Sequence, residues 1–360
     1  MFMCAGAKKL IPGILPLALV CTLSISTSWV YSQSSSIPAT QVAQVVAQVR
    51  SVGPGDPILV QAVVVGQSLT REGRFAEAAE LFGAVLEKTP HDARALYGAA
   101  LAAFNLERTA EAERFARATV ESLLPDLPRP PRNLSIEKRL QAADALVLAA
   151  VVLAVRGNES GSLKFAEQAA SIAPNHFDAQ FTLGRALFGA GDYSGAAKAF
   201  RKAVSLNPDN TRALFFLATS LERTNDAEGA LRLYRELIAK QPLAAEGHLG
   251  CGILLVRRGG DEAVEGLREL ERAITINPNL YEARIELGRA LITHGRAGES
   301  VAHLVRASEL APGNPEPHYQ LALAYRRLGR KEEAAKEEEI VKTIHESRRS
   351  GRSLNDRVMP

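Results

Sequence analysis

Cysteine is nearly absent. The chain has three, Cys4, Cys21 and Cys251. That excludes a small disulfide-stapled domain. Aromatic residues are scarce too, at 6%, and tryptophan occurs once. Alanine is abundant instead. It loses no side-chain entropy in a helix and crowds nothing, so a folded chain of this composition points to an all-α protein. Surplus charge is also missing. A formal net charge of +3 over 360 residues implies no large basic face. Catalytic signatures are absent as well: there is no glycine-rich loop ending in Gly-Lys-Ser/Thr, no HExxH and no GxSxG. Gly250-Cys251-Gly252 is the nearest glycine motif, and it falls in the middle of an expected helix. Cys251 reads as a small buried hydrophobe.

Acidic residues are absent before Asp56. The N-terminus instead carries Lys8 and Lys9, then the apolar run LIPGILPLALVCTL and a small polar zone. This is the pattern of a secretory signal peptide over residues 1–32. Val30-Tyr31-Ser32 before Gln33 offers one cleavage site and Ser24-Ile25-Ser26 another. An uncleaved anchor is the alternative. Residues 10–31 are long enough to span a membrane, but Pro12 and Pro16 weaken a spanning helix. Cys21 raises lipidation, which Val20 disfavours. Cleavage would leave a net charge of +1 and Cys251 alone, so no intramolecular disulfide could form. The expected address is exported, periplasmic or extracellular, with a membrane tether only through residues 10–31. The sequons at Asn133 and Asn158 read as chance.

A period dominates the rest. In LGRALFGAGDYSGAAKAFRKAVSLNP, counted from Phe177, Leu183 stands at 7, Gly184 at 8, Leu187 at 11, Ala196 at 20, Phe200 at 24, Ala203 at 27 and Pro208 at 32. A shift of 34 gives Leu217, Ala218, Leu221, Ala230, Tyr234, Leu237 and Pro242. From Tyr281 the series is Leu287, Gly288, Leu291, Ser300, Leu304, Ala307 and Pro312. Eight units follow: 59–92, 93–126, 143–176, 177–210, 211–244, 245–280, 281–314 and 315–348. Position 8 is Gly or Ala in all eight, and position 20 is Ala, Ser or Gly. Small residues there let two antiparallel helices approach closely, while larger ones at 7, 11 and 24 fill the gaps. Proline at 32 stops the second helix. One such hairpin cannot bury its apolar face alone, so neighbours must stack on it.

This spacing resembles the tetratricopeptide repeat, a helix–turn–helix unit of 34 residues. The resemblance implies an all-α, right-handed superhelical solenoid of about eight units, two over 59–126 and six over 143–348. Between them, 127–142 reads as a Pro-rich insertion and a helix start, with one long helix over 136–156. Residues 33–58 read as a linker with a short capping helix, in which Val42, Val45, Val46 and Val49 share one face. Unit 245–280 carries two extra residues, placed in its second helix or at the Gly259-Gly260-Asp261 turn. Glu338 stands in the last unit where an apolar residue is usual, as suits an exposed terminal cap. Residues 346–360 lack periodicity and are expected to be disordered, with the tail itself at 349–360.

The resemblance also places the first helix of each unit on the concave face, through positions 2, 5, 9, 12 and 13. Here these include Tyr97, Phe104, Phe181, Arg185, Phe188, Phe215, Leu249, Ile253, Ile285, Arg289, Ile292 and Tyr319, with Phe216 adjoining. Seven of the chain's scarce aromatics fall there, and such a stripe either forms a binding groove or packs helix against helix. The lysine and asparagine of the chaperone-tail clamp are missing, as is the asparagine ladder of the sugar-transferase type. Nucleic acid is disfavoured because arginines on this face alternate with Asp178, Glu222, Glu246, Glu282 and Glu286. No metal or cofactor is expected; His294 and His303 flank a turn, and His248 and His318 recur at position 4. The expected function is a non-enzymatic scaffold binding a peptide or protein segment in its groove. The alternatives are a structural subunit of an envelope assembly using its edges and ends, and an accessory domain of an envelope enzyme system.

Overall fold

The computed structural model describes residues 37–126 and 134–350. The expected leader, residues 33–36 of the linker, the proline-rich stretch 127–133 and residues 351–360 of the tail lie outside the described residues. Among the described residues there are seventeen α-helices and no strand, the all-α class that the repeats predict. The chain divides into two compact units, residues 1–190 and 191–360. The division falls inside the repeat 177–210.

Unit 1 holds α1 (Ala39–Ser51), α2 (Pro57–Arg71), α3 (Phe75–Lys88), α4 (Ala93–Asn105), α5 (Thr109–Leu123), α6 (Ile136–Val155), α7 (Glu159–Ile172) and α8 (Phe177–Gly189). Helix α1 buries Val42, Val46 and Val49 against a core that includes Leu59, Phe82 and Val85. Its apolar stripe is what the i, i+3, i+4, i+7 spacing dictates. Helix α6 is 20 residues long where α4 and α8 have 13. Its first two turns, from Ile136 to Gln141, are exposed, and burial starts at Ala142. From there on it is buried almost all round, through Ala145, Leu146, Leu148, Val152 and Leu153. A helix covered on every side needs apolar residues on every side, which is why α6 has lost the polar stripe of a surface helix.

Unit 2 holds α9 (Tyr193–Leu206), α10 (Thr211–Arg223), α11 (Ala227–Lys240), α12 (Ala245–Arg258), α13 (Gly260–Ile276), α14 (Tyr281–Thr293), α15 (Ala297–Leu310), α16 (Pro315–Arg327) and α17 (Lys331–Ser350). The small residues at positions 8 and 20 do what the spacing predicts, most directly in the α12–α13 hairpin. A Cβ on Gly266 would lie 2.7 Å from the Val256 nitrogen and 2.9 Å from the Gly252 oxygen. The two backbones touch with no side chain between them. The two extra residues of this repeat lie in its second helix: α13 has 17 residues where α9, α11 and α15 have 14. Helix α17 continues to Ser350, so residues 346–350, expected to be disordered, are helical. Buried Ile344 and Ser347 hold the helix down, and Arg348 Nη2 donates to the Gly313 carbonyl at 2.6 Å. Glu338 is half-buried and pairs with Arg326.

One position carries a signature that composition alone hides. Residue 15 of every repeat is left-handed: Gly73, Glu107, Gly157, Gly191, Asn225, Gly259, Gly295 and Gly329, with φ from 60 to 83°. This residue turns the first helix into the second. Glycine adopts that conformation freely, asparagine tolerates it, and a residue such as glutamate does so at a cost of about 1–2 kcal/mol. In three repeats the next residue caps the second helix. Asn158, Asp192 and Asp226 accept from the amides of Gly161, Gly195 and Gly229 at 2.8–2.9 Å, each cap contributing about 1 kcal/mol.

Candidate functional site

The first helices of each unit carry the residues that the repeat pattern singles out. In unit 1, Tyr97 and Phe104 of α4 are half-buried and pack on the core that α6 fills. Phe181, Arg185 and Phe188 of α8 are half-buried as well. The Phe181 ring stacks on Phe177 at 5.7 Å. These aromatics are partly covered and do not form a bare apolar stripe.

Beside them lies a feature that the repeat pattern does not single out. Asp144, at position 2 on α6, is only 7% exposed. Its Oδ1 stands 3.3 Å from His176 Nε2, just ahead of α8. Asp178, the position-2 residue of α8, is close enough to affect it. Burial pushes the Asp144 carboxyl up to about 6; His176 opposes the shift and Asp178 adds to it. Burial raises Asp178 too, again opposed by His176. His176 Nδ1 is buried and makes no hydrogen bond among the described residues. The signal was legible: position 2 is acidic in five repeats, at Asp144, Asp178, Glu246, Glu282 and Glu316.

In unit 2 the aromatics form a connected set. Phe216 stacks on the fully buried Phe200 at 5.3 Å and meets the Phe215 edge at 5.5 Å. Phe215 leans on Tyr234 at 6.4 Å. Tyr234 is buried, which raises its phenol pKa, and its hydroxyl lies 3.2 Å from Thr219 Oγ1 and donates to Glu222 at 3.3 Å. Leu249 and Ile253 of α12 are half-buried on a core of Leu267, Leu270, Leu287 and Leu291. Two residues expected on this face are core instead. Ile285 is 5% exposed and Ile292 1%; Ile292 sits among Leu304, Leu321 and Tyr325. The neighbouring hairpin covers what the spacing leaves open. Tyr319 on α16 is the exception among the aromatics, at 60% exposure.

Between α12 and α14 the surface opens into a cleft of about 100 Å³. Ile253, Val256, Leu270 and Ala290 form its apolar walls, and Arg257, Glu286, Arg289 and Thr293 stand around them. The pattern residues Ile253 and Arg289 thus meet at one place. Arg289 Nη1 donates to both Glu286 oxygens at 3.0 Å, and Nη2 donates to Glu316 Oε1 at 2.8 Å. Arg257 donates to Glu222 at 3.0 Å. Burial raises the Glu286 carboxyl, and Arg289 pulls it back. The arrangement offers an apolar seat for one aliphatic side chain, ringed by charges that can engage a peptide backbone.

The histidines serve the hairpins. His248 Nδ1 lies 2.6 Å from Glu269 and Nε2 3.0 Å from the Pro242 carbonyl; His318 Nδ1 lies 2.6 Å from Glu337. Each pair ties a first helix to its second. His294 Nδ1 meets the Ala290 carbonyl. Among the described residues no group of three or more His, Cys, Asp or Glu is placed to hold a metal. Cys251 is buried, and burial pushes its thiol up to about 12, which disfavours the reactive thiolate.

A family model described as tetratricopeptide repeat matches residues 66–127, 181–245, 217–280 and 285–343, more than half of the chain. No curated protein matches. Among solved structures the chain is similar to a tetratricopeptide repeat protein from Parabacteroides merdae ATCC 43184, at 14% identity and a TM-score of 0.52, over 74% of this chain and 98% of that one. It is also similar to YrrB, described as a TPR protein with an unusual peptide-binding site, at 18% identity and a TM-score of 0.42, over 51% of this chain and 93% of that one. TTC0263, a thermophilic TPR protein of Thermus thermophilus, gives 24% and 0.41 over 51% and 96%.

Proposed function

Since the chain belongs to the tetratricopeptide repeat family, a fold suited to protein–protein interaction, we propose that it is an exported, non-catalytic scaffold that holds a peptide segment of a partner protein on its first-helix face. The α12–α14 cleft is the anchor. The observation that carries this reading is the meeting of an apolar floor and an ion-paired rim at one half-open site. Burying one aliphatic side chain there is worth about 1.5–3 kcal/mol, and the rim charges orient the backbone around it. That is the anatomy of a recognition pocket, mostly apolar with a few placed polar groups. Glu286 and Arg289 form a pair rather than a nucleophile with its base, so the site is built for holding.

Export is the second half of the proposal. It is supported by Lys8 and Lys9 ahead of the apolar run and by the lack of acid before Asp56. Among the described residues no helix is long and apolar enough to cross a membrane.

The binding half is tested by peptide display. The chain from Gln33 onward is panned against a random peptide library, and enriched peptides are measured against Ile253→Ala and Thr293→Trp, the second of which fills the cleft mouth from an exposed position. The expected result is an aliphatic residue common to the enriched peptides and at least tenfold weaker binding to both variants. Enriched peptides that bind both variants at full strength would overturn the reading. For export, the N-terminal residue of the native protein is determined. Gln33 or a close neighbour is expected, and an intact Met1 would favour the anchor.

A further inference from the structure

We propose that the segment held at this cleft carries a lysine or arginine next to its aliphatic anchor, and that Glu316 and Tyr319 of α16 receive it. The inference rests on the cleft reading above and adds the charge of the partner. Arg257, Glu286 and Arg289 line the cleft, and each guanidinium reaches a carboxylate beyond it, Glu222 and Glu316, which completes the charged rim. Glu222 is satisfied twice, by Arg257 on Oε1 and by the Tyr234 hydroxyl on Oε2. Glu286 gives both of its oxygens to Arg289. Glu316 is left over. Its Oε1 accepts from Arg289 at 2.8 Å and from Gln320 Nε2 at 2.9 Å, while Oε2 accepts from no described residue. Arg289 is thus divided between two carboxylates, and one negative charge on the rim has no cation of its own.

The second observation is Tyr319. It stands three residues after Glu316 on the same helix, and residues three apart share a helix face. It is the one exposed aromatic of the predicted site. A carboxylate oxygen with no described donor and an open aromatic ring on the same helix face offer the chemistry that takes an ammonium or guanidinium group: a charge-assisted hydrogen bond from one and the ring quadrupole from the other. An acidic ligand would meet surplus negative charge there. Adjacent first helices pack about 10 Å apart, a span that about three extended residues cover. The recognised pattern is therefore an aliphatic residue with a basic one about three positions away.

The probes are labelled peptides of one design, Gly-Ser flanks around Leu-Ser-Ser-Xaa, with Xaa lysine, acetyl-lysine or glutamate. Binding is measured to the chain from Gln33 onward and to Thr293→Trp, Glu316→Gln, Glu316→Lys and Tyr319→Ala, all checked for helicity. The lysine peptide should bind about tenfold more tightly than acetyl-lysine at low salt, and more weakly as salt rises. Glu316→Gln should bring the two level, and Glu316→Lys should turn the preference toward glutamate. If all three peptides bind alike and Thr293→Trp still blocks them, the cleft reading stands and the basic partner is wrong. A lysine preference that survives both Glu316→Gln and Tyr319→Ala places the cation elsewhere and overturns the assignment. Binding that ignores Thr293→Trp removes the cleft itself, and the inference falls with it.

Discussion

The α6–α8 corner of unit 1 and the α12–α14 cleft of unit 2 both place carboxylates on first helices and treat their charge in opposite ways. In unit 1 the position-2 carboxylate of Asp144 is sealed in, with His176 Nε2 3.3 Å from its Oδ1. In unit 2 the carboxylates are half-buried and share Arg257 and Arg289 in short, well-formed pairs. The cause is the neighbouring helix. From Ala142 on, helix α6 is covered almost all round, so a carboxyl on that stretch is desolvated. Helices α12 and α14 leave a gap between them. A repeat fixes where a side chain points; the fill of the next hairpin decides whether that place is site or core.

The comparison breaks most completely if the hairpin beneath the cleft is opened. Gly266→Leu must push α13 off α12, since its Cβ would collide with backbone atoms rather than a side chain that can turn away. A loss of at least about 3 kcal/mol is expected, confined to unit 2 because repeats couple mainly to neighbours. Hydrogen exchange resolved by segment checks it, with α12–α14 losing protection and α2–α5 keeping it.

Asp144→Asn sharpens the unit 1 side. The folded protein holds the Asp144 proton up to about pH 6, against 3.8 for the free group. Stability therefore falls as pH rises from about 4 to about 6 and stays lowered above. The asparagine variant should be more stable than the parent by up to about 3 kcal/mol at neutral pH, and the gain should vanish near pH 3.5, below both values. Denaturant titrations across pH measure it. A gain that is independent of pH would show that charge is not the cause.

Next in size is the contrast between covered and open aromatics. Phe216→Ala removes a ring stacked on buried Phe200 and should cost about 2 kcal/mol, whereas Tyr319→Ala should stay within about 0.5 kcal/mol. Thermal melting of both variants separates them, and equal losses would return Tyr319 to the core. The smallest effect concerns the turns. Glu107→Gly relieves a left-handed glutamate in unit 1 and should stabilise by about 1 kcal/mol, while Asn225→Gly in unit 2 should gain less.

How far the sequence could be read follows from what each feature depends on. The hairpins were legible because positions 8 and 20 act within one repeat, and Gly252 and Gly266 meet as that spacing requires. The long helix at 136–156 was legible because an unbroken apolar run, from Ala145 to Val155, fills more than half of it. The left-handed turn was harder, since Glu107 and Asn225 interrupt the glycines that would have marked it. Ile253 and Arg289 of the repeat pattern meet at the cleft, whereas Ile285 and Ile292 are buried, and the cover of Ile292, Leu321 and Tyr325, belongs to the next repeat. The sharing of Arg289 between Glu286 and Glu316 joins residues 27 apart through side-chain geometry, which no periodicity encodes.

The contact of Gly252 with Gly266 has a dynamic consequence. Two helices held by side chains can loosen by degrees, as rotamers swap while the axes stay in place. Two helices held backbone to backbone have no rotamers to exchange, so the contact is either seated or lost. The α12–α13 hairpin should move as one rigid strut, its amides opening to exchange in a single event. The wall of the cleft that carries Ile253 and Val256 is therefore a fixed surface, and any adjustment to a ligand falls to α14 on the other side.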